Sequence, residues 1–105
     1  MPHKVLWSDI AKTDYKEILK YLTETWGKDS SQKFKKNINR QIEIIGGMPK
    51  LFPSIDYIRN VRKCVVVRQV SLYYMEDEKE KMIIIMRLLD NRRDPDRIKK
   101  SLGAE

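Results

Sequence analysis

Three apolar, β-branched runs lie close together near the end of this chain: Val61 to Val67, Val70 to Met75 and Lys81 to Leu88. Arg68-Gln69 forms a tight link between the first two, and a looser charged link at Asp77 to Glu80 joins the last two. Connections this short cannot hold a crossover, so the runs must pair antiparallel as a meander. The final run continues into Arg87-Leu88-Leu89-Asp90-Asn91-Arg92-Arg93-Asp94-Pro95, so the same strand that completes the sheet carries arginines out to one edge.

The preceding half is helical in period. His3 to Trp7 reads as a short first strand, and Ser8 or Asp9 can cap the helix that follows. Tyr15, Ile18, Leu19, Leu22 and Trp26 recur every three or four positions and make one apolar stripe, with Lys12, Lys16, Glu17 and Lys20 left to water. Gly27 ends that helix. Asp29 with Gln32 resembles a capping box, and Phe34, Ile38, Ile42 and Ile45 form a second stripe that Gly46-Gly47 should stop in a left-handed cap before Pro49. So short a link between the helices predicts an antiparallel hairpin. Pro49 to Asp56 reads as a loop crossing to the sheet, and Asp94-Pro95 as the start of a short last helix with Ile98 and Leu102 on one side.

The fold class is therefore α+β, an N-terminal strand and helical hairpin packed on a small antiparallel sheet, in a single domain over residues 1–105. In the last strand both alternate sets, Met82, Ile84, Met86 and Ile83, Ile85, are apolar, so both sheet faces should be covered. The hairpin takes one face. For the other, the terminal segment, a second copy and a partner peptide are all candidates, with the partner favoured.

The longest apolar run, Met82 to Met86, is too short to cross a bilayer and no signal-peptide core leads the chain, so a cytoplasmic location without membrane contact is expected. Cys64 is the only cysteine and sits among valines, as a buried thiol would. A formal charge of +7, from 22 Lys and Arg against 15 Asp and Glu, favours an anionic partner, either nucleic acid or an acidic protein segment.

The candidate contact residues follow from this charge. Arg87, Arg92 and Arg93 form the basic exit. Arg62 and Arg68, with Arg59 and Lys63, add positive charge without an intervening acid, and would join the exit in one patch if the meander brought Arg62 beside it. Tyr57, Tyr73 and Trp26 are candidates for ligand or partner contact, Tyr73 and Tyr74 being on opposite faces of their strand. A further basic surface runs along the second helix through Lys28, Lys33, Lys35, Lys36 and Arg40.

The order of these parts resembles the RelE/ParE superfamily of toxins from type II toxin–antitoxin systems, and nearly the whole chain takes part. The resemblance is carried by Ile18, Tyr21 and Leu22, by Phe34 and Ile38, by Pro49 and Arg62, by Leu72-Tyr73-Tyr74 and by Arg92-Arg93-Asp94-Pro95. It implies a small bacterial toxin of the plasmid-stabilisation type, neutralised by a cognate antitoxin, as a homodimer or in a heterotetramer with it. No cofactor or metal is implied.

Within that superfamily the RelE-like branch cleaves messenger RNA on the ribosome, and the ParE-like branch inhibits DNA gyrase without a nuclease site. Cleavage needs cations on the phosphate and groups that move protons. Where the RelE-like branch often has an arginine, this chain has Ser71, and after Met86 there is no histidine or tyrosine. The sole histidine, His3, lies at the other end of the chain from the basic exit, and Lys50 and Lys63 are the lysines a nuclease would call on. No catalytic residue is assigned. The resemblance thus favours a ParE-like gyrase inhibitor, with a ribosome-dependent mRNA endoribonuclease and a non-toxic binding module as alternatives.

Overall fold

The computed structural model describes residues 2–103. Its elements are β1 (Lys4–Trp7), α1 (Asp9–Trp26), α2 (Lys28–Gly47), β2 (Val61–Val67), β3 (Val70–Asp77), β4 (Met82–Asp90) and α3 (Pro95–Ser101). The sheet runs β1-β4-β3-β2. The meander is antiparallel as expected, whereas β1 pairs parallel with β4, Lys4 opposite Met82 and Trp7 opposite Ile85. The sheet is therefore mixed rather than wholly antiparallel. The long path from β1 through the helical hairpin and the meander supplies the crossover that a parallel pair requires. Among the described residues, no helix is long and apolar enough to cross a membrane.

The helix ends show which local signals prevailed. Ser8 caps α1, its Oγ accepting from the Ala11 N–H at 3.1 Å, and the same hydroxyl donates to the Met86 carbonyl at 2.8 Å, so one cap also fastens α1 to β4. Gly27 ends α1 and begins α2 with φ +95, a backbone shape that costs glycine little. With only this residue between the helices, Asp29 already lies in the first turn of α2, and no side chain caps that end. Its carboxylate faces the helix dipole favourably instead of making the expected capping box. Gly46 and Gly47 are likewise helical rather than a left-handed stop. The helix gives way at Met48, which precedes Pro49 and is steered out of the α region by the proline ring. Gly46 is buried against β1, and its carbonyl accepts the His3 N–H at 2.7 Å.

Two cores sandwich the sheet. On the hairpin side Phe34, Ile38 and Ile45 meet Cys64, Leu72, Tyr74, Ile83, Ile85 and Leu88. On the opposite side Ile98 and Leu102 cover Val61, Tyr73 and Leu89, helped by Ile55, Tyr57 and Ile58. The second face is thus closed by the chain's own terminal segment, not by the partner peptide favoured from sequence. α3 is built for this: Asp94 accepts the Asp96 N–H at 3.0 Å, and Pro95 stands in the first turn, where it needs no donor.

Burial pushes the Cys64 thiol up to about 11 and the Tyr73 and Tyr74 phenols up to about 12, from reference values of 9.0 and 10.0. The folded chain therefore keeps protons that the unfolded chain releases. This contribution to stability is fully present below about pH 9 and is lost as pH rises through the window from 9 to 12. Urea titrations should show unfolding free energy falling by up to about 5 kcal/mol by pH 11. Stability that held level or rose over that window would contradict the burial of these three groups.

Candidate functional site

The arginines grouped by sequence separate in space. Arg87 turns back toward α1: its Nε donates to Asp14 Oδ2 at 2.8 Å and its Nη2 to Oδ1 at 3.0 Å. Its Nη1 donates to the Ser101 carbonyl at 3.1 Å, close to the end of α3. Asp14 also accepts the Leu88 N–H at 3.1 Å, which β1, ending opposite Ile85, does not reach. Both side chains are largely buried. Arg87, a surface candidate from sequence, is the tie joining α1, β4 and α3.

Arg92 is exposed and held by Asp90, with Nη2 to Oδ2 at 2.8 Å. This hydrogen-bonded carboxylate raises the guanidinium pKa, and the guanidinium in turn holds Asp90 below the usual carboxylate range. Arg93 is exposed and makes only a long contact of 3.5 Å with Ser101 Oγ.

Arg62 lies on β2, separated from β4 by β3, so it does not join the exit in one patch. Its Nη1 donates to the Phe52 carbonyl at 2.7 Å and the Lys50 carbonyl at 3.3 Å, pinning the crossing loop. The cavity around it, of about 630 Å³, sets Lys50 and Arg62 against Glu76, Asp77 and Glu78. Lys50 is paired with Glu78, an ion pair that raises the lysine and lowers the glutamate. A phosphate entering there would meet more carboxylates than cations.

Arg68 is exposed in the β2–β3 turn, where its carbonyl accepts from Asn91 Nδ2 at 3.1 Å. Ser71 is fully buried and donates to Asn91 Oδ1 at 2.6 Å. Its neighbour on β2 is Val65, so neither Arg62 nor Arg68 replaces an arginine at that place. Tyr73, 1% exposed, belongs to the second core, so the structure offers no surface through which it meets a ligand. Tyr57 is half-buried in the same cluster under Lys99, whose Nζ lies 5.2 Å from the ring centre, and burial raises its phenol. His3 Nε2 lies 3.0 Å from Glu76 Oε2, at the end of the sheet away from the exit arginines.

Trp26, in contrast, is 70% exposed, and Tyr21 is 50% exposed one turn and a half before it. They stand with Ile18 and Leu22 along a groove of about 670 Å³ between the helical hairpin and the end of β4. Lys33, Arg92 and Arg93 line it together with Asp14, Glu17 and Asp90, and beyond Ile85 the outer edge of β4 has no strand beside it. An apolar floor and an exposed aromatic anchor suit a peptide or protein segment better than a small substrate, while the β4 edge itself is already bonded at Met86 and Leu88 by Ser8 and Asp14. Sequence reasoning had not placed Asp14, nor joined Tyr21 to Trp26. An acid on the apolar stripe of α1, three positions from Ala11 and four from Ile18, was the signal for the first.

A family model for the ParE toxin of the type II toxin–antitoxin system parDE matches residues 5–95. No match was found among curated proteins. Among solved structures, the chromosomal ParDE system of P. aeruginosa aligns with a TM-score of 0.69 at 18% identity, covering 84% of this chain and 95% of that one. A copper-bound mutant toxin from Helicobacter pylori aligns with a TM-score of 0.58 at 16% identity, over 85% and 94% of the two chains. The toxin–antitoxin complex RelBE2 from Mycobacterium tuberculosis aligns at 0.54 and 14% identity, over 87% of this chain and 100% of that one. These likenesses establish a shared fold. Since the family match runs from β1 to the first residue of α3, the chain belongs to the ParE toxin family of type II toxin–antitoxin systems.

Proposed function

We propose that this toxin acts by binding DNA gyrase rather than by cutting RNA, and that its cognate antitoxin occupies the groove beside Trp26. The observation that carries this reading is how the cations are used. Arg87 is committed to Asp14, Arg92 to Asp90 and Arg62 to loop carbonyls. Arg68 and Arg93 are exposed without an ion pair among the described residues, but no histidine stands beside them, and Trp26 and Tyr21 present an exposed aromatic surface. A nuclease would need its cations free for the phosphate and a proton-transfer group beside them. His3 faces Glu76, and Ser71 is sealed under Asn91.

Purified toxin is expected to inhibit supercoiling by gyrase, and added antitoxin to restore it. Gyrase activity unchanged by excess folded toxin would overturn the target. The groove has its own test, in which Trp26→Ala weakens antitoxin binding by about 2 kcal/mol or more, roughly 30-fold, as an interface anchor does. Calorimetry giving equal affinities for the variant and the parent would remove the antitoxin from this groove.

A further inference from the structure

The outer face of α2 carries four exposed cations, Lys28, Lys35, Lys36 and Arg40, with the carboxylates Asp29 and Glu43 exposed toward its two ends. Ser31, Phe34, Ile38 and Ile45 turn inward, and Lys28, Gln32, Lys35, Lys36, Asn39 and Arg40 are all exposed on the other side. From Ser30 to Ile42 there is no carboxylate. Among the described residues, none of these cations takes part in an ion pair; the four pairs present lie elsewhere. Of the exit arginines, Arg87 and Arg92 are paired with Asp14 and Asp90, whereas Arg93, like the cations of this helix, has no carboxylate partner among the described residues.

We propose that the outer face of α2 binds the phosphate backbone of a nucleic-acid duplex. Lys28 to Arg40 spans about 18 Å along the helix, about half a turn of duplex, with cations returning every one or two turns on one side. Gln32 and Asn39 lie between them and can donate amide hydrogen bonds to phosphate oxygens, which ammonium groups alone would leave partly unfilled. Lys28, Gln32, Lys35, Lys36, Asn39 and Arg40 include no apolar or aromatic side chain, so this face suits a charged backbone better than unstacked bases or a folded apolar partner. This surface is separate from the groove that holds Trp26, and the inference does not depend on gyrase as the target.

The test is fluorescence anisotropy of full-length toxin with random-sequence duplex DNA and duplex RNA across a salt series. Four phosphate contacts predict a slope of log K against log salt of about −3.6, and so roughly 150-fold weaker binding at 200 mM than at 50 mM. The variant K35E/K36E/R40E should cut affinity by at least 30-fold and reduce the slope to about −1. Lys79, Arg97 and Lys100 are exposed and outside every ion pair, so K79E/R97E/K100E is a charge-matched control, each triple reversal taking +7 to +1.

Retained affinity in the control and lost affinity in the α2 variant support the proposal, and the DNA and RNA arms tell which duplex is preferred. Equal losses in the two variants would show net charge alone at work and overturn it. Absence of binding at 50 mM salt would overturn it as well, as would competition by polyglutamate matching that of duplex at equal charge, which assigns the face to an acidic protein. Melting curves distinguish lost binding from lost fold, and single reversals at Lys35 and Arg40 stand in if the triple variant does not fold.

Discussion

Asp14→Ala should lower the unfolding free energy by about 3–5 kcal/mol, because it leaves the Arg87 guanidinium in a largely buried site without its carboxylate. The same change strips the Leu88 N–H of its acceptor at the open edge of β4. Arg87→Ala should cost a similar amount from the other side and also release the Ser101 carbonyl, loosening α3 over Tyr73 and Leu89. The double variant should lose much less than the two single losses combined, since each single change leaves a charge stranded. Urea unfolding of the three variants reads this directly. Single losses below 1 kcal/mol would mean that the pair is solvated and that α1, β4 and α3 are held by other contacts.

Phe34→Ala is expected to cost about 3–5 kcal/mol, as large aromatic truncations in a core do. Phe34 is almost wholly buried between the hairpin and the sheet, with its ring 6.1 Å from that of Tyr15 and tilted toward it. Tyr15 in turn stands 5.2 Å from Trp7, so the aromatic row runs from α2 through α1 to β1. Losing its inner member should detach α2 first, with amide exchange accelerating at Ile38 and Ile42 before the β3–β4 pair. A small loss spread evenly over all elements would place the core elsewhere.

Much of what repeats locally could be read from the chain alone, although the Asp29–Gln32 capping box and the Gly46-Gly47 left-handed stop, equally local, did not form. The stripe of α1 as far as Leu22, that of α2, the Ser8 cap, the Arg68-Gln69 turn and the Asp94-Pro95 helix start depend on residues a few positions apart and appear where their spacing puts them, whereas Trp26, next on the α1 stripe, is exposed. Periodicity does not name partners across the sheet. The parallel docking of β1 on β4, and with it the placing of His3 beside Glu76, depends on pairing between distant segments. So does the fate of Arg87, whose carboxylate lies 73 positions away. In sequence a basic exit looks solvated, and only the misplaced acid on the stripe of α1 hints otherwise.

Tyr73 and Tyr74 show the same limit from another side. Strand alternation correctly sends them to opposite faces, but burial of both follows from α3 closing the second face. Trp26 was legible as a helix-end tryptophan, whereas the groove it stands in arises from the gap between α1 and the end of β4. The family resemblance filled part of that distance. The family match agrees with that resemblance on a toxin of a type II toxin–antitoxin system, and the structure adds which groups hold the arginines.

Under the function proposed above, this toxin works on gyrase by contact and performs no cleavage of RNA. One paired reaction tests it most directly, in which the same folded toxin is given to gyrase with supercoiled plasmid and to ribosomes translating a labelled message. The account predicts inhibited gyrase, reversible by antitoxin, beside a message of unchanged length. Codon-specific cuts in the message with gyrase unaffected would contradict it.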